Sequence, residues 1–185
     1  MTGGSIKASA SGHLTLILGG ARSGKSAFAE NLVIGFGVPP LYFATATPSD
    51  AEMTARIDRH RSDRSNAFTT IEVPLDLAQA LRGLGPAACV LVDCATLWLS
   101  NHLLAGHDCD AVCDDLSAAL TACPARIVIV SNEVGFGLVP DTAIGRQFRD
   151  AQGRLNQRLA ARADTVVFVL AGLPTVLKGE MPPAG

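Results

Sequence analysis

Two stretches hold residue types that suit phosphate chemistry. "GGARSGKS" (19–26) satisfies G-x-x-x-x-G-K-[ST] with Gly19, Gly24, Lys25 and Ser26. Its glycines let the backbone curl so that N–H groups point inward, and a following helix adds about half a positive charge at its start. Lys25 then reaches the outer phosphates and the Ser26 hydroxyl suits Mg2+. The second stretch, "RIDRHRSDR" (56–64), sets one imidazole, His60, among four arginines. Neighbouring cations disfavour imidazolium and keep the ring neutral and nucleophilic near pH 7. The same guanidiniums stabilise charge on a phosphate under attack, and a nucleophilic histidine divides one transfer into two easier ones. Two unit charges about 4 Å apart interact by roughly 4 kcal/mol at an effective dielectric of 20, enough to matter to a barrier.

Spacing alone leaves His60 open to two readings. On a helix, Arg56, His60 and Arg64 fall at i, i+4 and i+8, near one face, with Met53 and Ile57 on the adjoining stripe. That face either carries chemistry or is a solvent face on which Asp58 and Asp63 neutralise the arginines and His60 is a bystander. For a metal shell, Asp93 at the end of "CVLVD" is the natural carboxylate, alternatively a strand-end cap. Glu133, with Ser131 and Asn132 beside it, also follows an apolar run and either positions water or a terminal phosphate or makes ordinary loop hydrogen bonds.

Positioning these groups requires strands that alternate with helices. Apolar runs predict strands at 14–20, 41–46, 68–73, 89–94, 126–134 and 165–172, the third at a sheet edge. Helices are expected at 24–37, 49–64, 75–84, 96–105, 109–122 and 143–163. Ser49 and Glu52 form a capping box at the start of the second. Such alternation implies right-handed crossovers and a mainly parallel sheet flanked by helices. Arg146, Arg149 and Asn156 share a face of the last helix, read as a plain solvated basic face or as one meeting substrate or a neighbouring subunit.

Composition narrows the class. The 185 residues suit one domain, 1–185, with 1–12 a loose tail, and 48% are hydrophobic. The mean hydropathy of +0.29 favours a sheet covered on both faces. A net charge of −2 gives no electrostatic case for nucleic acid. Five cysteines without a C-x-x-C pair read as buried or incidental thiols in a reducing compartment. No run approaches the ~18 apolar residues of a membrane span, and no signal peptide is evident, so a cytoplasmic protein is expected. A regulatory GTPase is disfavoured by the absence of an N-K-x-D motif.

From about Leu14 to Lys178 the chain resembles the bifunctional adenosylcobinamide kinase / adenosylcobinamide-phosphate guanylyltransferases of cobalamin biosynthesis. The resemblance rests on "ILGGARSGKSAFAE", "YFATATPSDAEMTARIDRHRSDR", "TIEVP", "VLVDCATLWLSN", "VSNEVGFGLVPDTAIGRQFRDAQGRLNQRLAARAD" and "VLAGLPTVLKG". It implies a RecA-like P-loop fold, usually a homotrimer, and two consecutive reactions. ATP or GTP phosphorylates adenosylcobinamide, then GTP donates GMP to that phosphate, giving adenosylcobinamide-GDP and pyrophosphate. It also implies that His60 carries GMP covalently. Nucleotide contacts are implied from Gly19, Gly20, Ala21, Arg22, Ser23, Gly24, Lys25 and Ser26, from Ala44, Thr45 and Ala46, and from Arg61, Ser62, Asp63 and Arg64. Glu72 and Asp93 are implicated as acidic residues of the site. Arg59 stands where some members carry a second histidine, so His60 is the one carrier candidate in its helix. His13, His102 and His107 match no family site and are expected at the surface. A kinase without guanylylation, or a nucleotide-switched nucleic-acid module, is the alternative.

Overall fold

The computed structural model describes residues 12–48, 51, 54, 55 and 65–181. Within them run β1 (Leu14–Gly19), α1 (Lys25–Ile34), β2 (Leu41–Ala44), β3 (Thr69–Glu72), α2 (Leu77–Arg82) and β4 (Cys89–Asp93). These are followed by α3 (Ala95–Leu104), α4 (Cys109–Ala122), β5 (Arg126–Asn132), α5 (Ala143–Arg162), β6 (Thr165–Leu170) and β7 (Leu173–Lys178). Ala51, Thr54 and Ala55 are helical, within the stretch expected as a helix; His60 and the arginines around it lie outside the described residues.

The strands form one sheet in the order β3-β2-β4-β5-β1-β6-β7. β1 to β6 pair in parallel, and β3 stands at the edge as anticipated. β7 was not foreseen. It pairs antiparallel with β6 through the two-residue turn Ala171–Gly172, both at positive φ (50° and 79°), as a right-twisted hairpin requires. Gly172-Leu173-Pro174 reads as a breaker in sequence, yet a proline is tolerated on an outermost strand that need not donate outward.

Helices cover both faces because strand residues alternate. Leu14, Leu16, Leu18, Ile127 and Ile129 pack against Leu77, Trp98, Leu116 and Leu155 of α2 to α5. On the other face, Ile17, Leu91, Val128 and Val130 pack against Ala29, Leu32 and Val33 of α1. Side-chain caps mark two helix starts: Asp108 accepts from the Asp110 and Ala111 amides, and Thr142 from that of Gly145. Such a cap contributes about 1 kcal/mol. The five thiols are free, with all but Cys109 buried. Among the described residues, no helix is long and apolar enough to cross a membrane.

Candidate functional site

The carboxyl ends of the strands carry the polar residues, and the register places them in a row. Glu72 pairs with Ala44, Ala44 with Asp93, and Gly19 with Asn132, at the end of β5 between β4 and β1. Strand alternation puts Gly19, Ala44, Asp93 and Asn132 on the face covered by α1, because Ile17, Tyr42, Leu91 and Val130 lie there. The phosphate loop and the acidic candidates therefore share one rim and one side of the sheet.

The loop itself is shaped by close backbone approach. A Cβ on Gly19 would lie 2.5 Å from Ser23 Oγ and 2.6 Å from the Val169 carbonyl oxygen. Gly24, the residue before α1, has φ +93°, and a Cβ there would meet Gly172 Cα at 3.2 Å. Glycine is thus required twice, once for space and once for a left-handed backbone. The Gly172 amide donates to the Ser23 carbonyl at 2.8 Å and the Glu133 amide to the Gly19 carbonyl at 3.0 Å. Lys25 is 8% exposed, and its Nζ donates to the Gly20 carbonyl at 3.0 Å, folding the ammonium back over the loop. Ala21 and Arg22 are exposed at the loop tip, Gly20 is half-buried, and Ser26 stands half-buried in the first turn of α1.

Asp93 is half-buried and accepts a hydrogen bond from the Tyr42 hydroxyl at 2.8 Å, which orients its carboxylate. A serine hydroxyl and a carboxylate are hard oxygen donors, the set that suits Mg2+ completed by phosphate oxygens. Among the described residues, no three His, Cys, Asp or Glu side chains gather into an all-protein metal cage. Glu72 is exposed on the edge strand.

Thr45 differs from what a nucleotide-contacting side chain suggests. It is fully buried, and its hydroxyl donates to the Cys94 carbonyl and accepts from the Cys94 amide, each at 2.8 Å. Its amide donates to the Asp93 carbonyl at 3.3 Å, and its carbonyl accepts from Asn101 Nδ2 at 2.8 Å. Ala44 is buried and Ala46 half-buried beside it. Burial, reinforced by the neighbouring Asp93 charge, pushes the Cys94 thiol up to about 12, so it stays protonated and inert. The segment 44–46 is nevertheless brought to the rim with the loop and Asp93, whereas Arg61, Ser62, Asp63 and Arg64 lie outside the described residues with His60.

Behind β5 lies a cluster that sequence reasoning missed. Ser131 Oγ donates to Asn156 Oδ1 at 2.7 Å and accepts from Gln152 Nε2 at 2.9 Å. Gln152 Nε2 also donates to Asn156 Oδ1, while Asn156 Nδ2 donates to the Asn132 carbonyl at 3.0 Å. The Asn132 amide donates to Thr96 Oγ1 at 2.7 Å. Both backbone groups of Asn132 are thereby gripped by side chains. Gln152 Oε1 is buried without a partner. Asn156 consequently does not belong to a solvated basic face: it is 6% exposed, drawn inward by the polar end of β5. Arg146 and Arg149 are its more exposed neighbours, Arg146 donating to the Pro140 and Asp141 carbonyls at 2.9 Å. The available signal was the polar pair Ser131-Asn132 ending an otherwise apolar strand. Glu133 bends back to accept from the Gly135 amide.

His102 also departs from expectation. It is 7% exposed, packed edge-on to Trp98, with Nε2 facing the Leu75 carbonyl at 3.2 Å. A carbonyl partner requires the Nε2–H tautomer, which leaves Nδ1 to accept from His107 Nδ1–H at 2.8 Å. Burial is the main cause lowering its pKa, opposed by the Leu75 hydrogen bond. His13 and His107 are exposed.

Comparison with known proteins finds relatives over most of the chain. The family model described as cobinamide kinase / cobinamide phosphate guanyltransferase matches residues 15–177. A bifunctional adenosylcobalamin biosynthesis protein, CobP, of Pseudomonas aeruginosa is 47% identical over 168 residues, covering 89% of this chain and 97% of that protein. The similarly described CobU of Escherichia coli is 40% identical over 181 residues, covering 89% and 99%. Among solved structures, the flagellar accessory protein FlaH of Methanocaldococcus jannaschii superposes with a TM-score of 0.51 at 14% identity, over 95% of this chain and 82% of that one. The fold is accordingly the RecA-like P-loop fold that the sequence implied.

Proposed function

The chain belongs to the cobinamide kinase / cobinamide phosphate guanyltransferase family, and from that premise we infer that it performs both reactions on one corrinoid. In the first, ATP or GTP gives its γ-phosphoryl group to the aminopropanol hydroxyl of adenosylcobinamide. The observation that carries this reading is the glycine-shaped loop with buried Lys25, set on the same rim and sheet face as Asp93. Lys25 and the loop amides hold the triphosphate and draw charge from it. Ser26 and Asp93 would hold Mg2+, which neutralises phosphate charge when bound. Among the described residues no base for the substrate hydroxyl stands out, and phosphoryl transfer by positioning and charge neutralisation needs little from one.

In the second reaction a ring nitrogen of His60 attacks the α-phosphorus of GTP. The N–P bond forms as the bond from the α-phosphorus to the bridging oxygen breaks, and pyrophosphate leaves. A phosphate oxygen of adenosylcobinamide phosphate then displaces the ring, which restores the histidine and yields adenosylcobinamide-GDP. Arg61 and Arg64 are assigned to the phosphates; Gly19 to Ser26, Ala44, Thr45, Ala46, Ser62, Asp63, Glu72 and Asp93 complete the nucleotide contacts. For Thr45 the contact is through backbone, because its hydroxyl is committed to Cys94.

We place the protein in the cytoplasm as one domain that assembles into a homotrimer. Exposed apolar side chains support self-association, among them Phe136 at 86%, Leu138 at 96% and Leu173 at 71% exposure. The test of the chemistry is incubation with α-labelled GTP and Mg2+. The expected result is a protein-bound label, stable to base and labile to acid, that His60→Ala lacks. A His60→Ala protein that still forms both products would leave a kinase with another route to guanylyl transfer.

A further inference from the structure

One face of α3 grips the two segments that leave β2 and β3. Asn101 Nδ2 donates to the Thr45 carbonyl at 2.8 Å and to the Pro74 carbonyl at 3.0 Å, while its Oδ1 accepts from the Thr47 hydroxyl at 3.2 Å. Trp98 Nε1 donates to the Leu75 carbonyl at 2.9 Å, and His102 Nε2 faces the same oxygen. Positions 98, 101 and 102 are spaced i, i+3 and i+4, so a single helix face supplies all three. Thr45 is also held through its hydroxyl by Cys94, the residue that precedes α3. A primary amide offers two N–H donors on one atom and an acceptor on the other, and here both ends are engaged. Aspartate lacks the donors and glutamine is a methylene too long.

The phosphate loop is held by other contacts: β1, β6 and the Ala171–Gly172 turn. We propose that Asn101 is a positioning residue for guanylyl transfer, fixing the course of backbone 45–47 at the rim independently of the phosphate loop. This rests on the reading above, in which 44–46 contact the nucleotide and the chain runs on from there to the GMP carrier. Displacing that backbone misaligns the α-phosphorus while leaving the γ-phosphoryl group in its cradle.

The measurement compares two rates in the full-length protein. One is the appearance of adenosylcobinamide-GDP together with α-label on the protein, and the other is γ-phosphoryl transfer to adenosylcobinamide. Asn101→Ala is expected to slow guanylyl transfer by about 10- to 100-fold and phosphoryl transfer by no more than about threefold, the size of a misplaced backbone at one step. Asn101→Asp, which turns a carboxylate toward two carbonyls, slows guanylyl transfer further. Thr47→Val keeps both Nδ2 bonds and gives the same selective loss at smaller size, which preserves the test if the Asn101 variants do not fold. Equal loss of both rates, or no loss of guanylyl transfer, overturns the proposal. If wild type takes no label yet forms adenosylcobinamide-GDP, the histidine-carrier reading falls, and the ratio of the two product rates still decides the role of Asn101.

Discussion

The phosphate loop and the segment beginning at Thr45 stand on the same rim of one sheet and are held by opposite means. Around the loop, backbone meets backbone: Gly172 N–H to Ser23, Glu133 N–H to Gly19, and glycines where a methyl group has no room. Around Thr45, side chains reach across long stretches of chain, Thr45 to Cys94 over 49 positions and Asn101 to Thr45 over 56. The first arrangement fails by adding atoms, the second by removing them. Damage at the loop should therefore strike every use of the triphosphate, and damage at the clasp should strike selectively.

Gly19→Ala tests the loop half most severely. Its new methyl meets the Val169 carbonyl, part of a core strand that cannot move aside. Both activities should fall by about 100-fold or more, the cost of a misplaced cradle. Calorimetric titration with GTP checks it, and near-normal affinity would mean that the cradle yields as side chains do.

Thr45→Val tests the other half at intermediate size. The substitution keeps the shape but orphans the Cys94 amide and leaves the Cys94 carbonyl with the Trp98 amide alone, costing about 2 kcal/mol of stability in urea denaturation. Guanylyl transfer should drop more than phosphoryl transfer. An equal drop would erase the distinction between the halves.

The smallest effect is a pH dependence at the clasp. Burial lowers the pKa of His102, so the unfolded chain binds the proton more readily than the folded one. Its contribution to stability is fully present above the unfolded value of about 6.5 and is lost as pH falls through the depressed folded value. Thermal midpoints measured from pH 7.5 down to 5 should decline, and His102→Gln should flatten that decline. A decline of the same steepness in the variant would assign it to other groups.

This contrast also explains what was legible in the sequence. A backbone cradle leaves a compact local signature, since glycine, lysine and serine must recur at fixed spacing, and "GGARSGKS" could be read at once. Strand and helix alternation was readable for the same reason, through periodicity within each segment. β7 was hidden because Ala171 adopts a positive φ that alanine seldom takes, and Pro174 masks an edge strand. His102, Asn101 and Asn156 were not legible because their partners are distant in sequence. A histidine on a helix looks like surface until Trp98 and the Leu75 carbonyl are found around it. That the Thr45 hydroxyl belongs to Cys94, 49 positions away, was hidden for the same reason.

The hairpin turn at Ala171–Gly172 carries a practical corollary. Gly172 is the back wall of the cradle, with its amide on the Ser23 carbonyl and its Cα occupying the space a Gly24 side chain would need. Trimming the last strand, or loading it with a fused partner, would loosen the grip on nucleotide from behind.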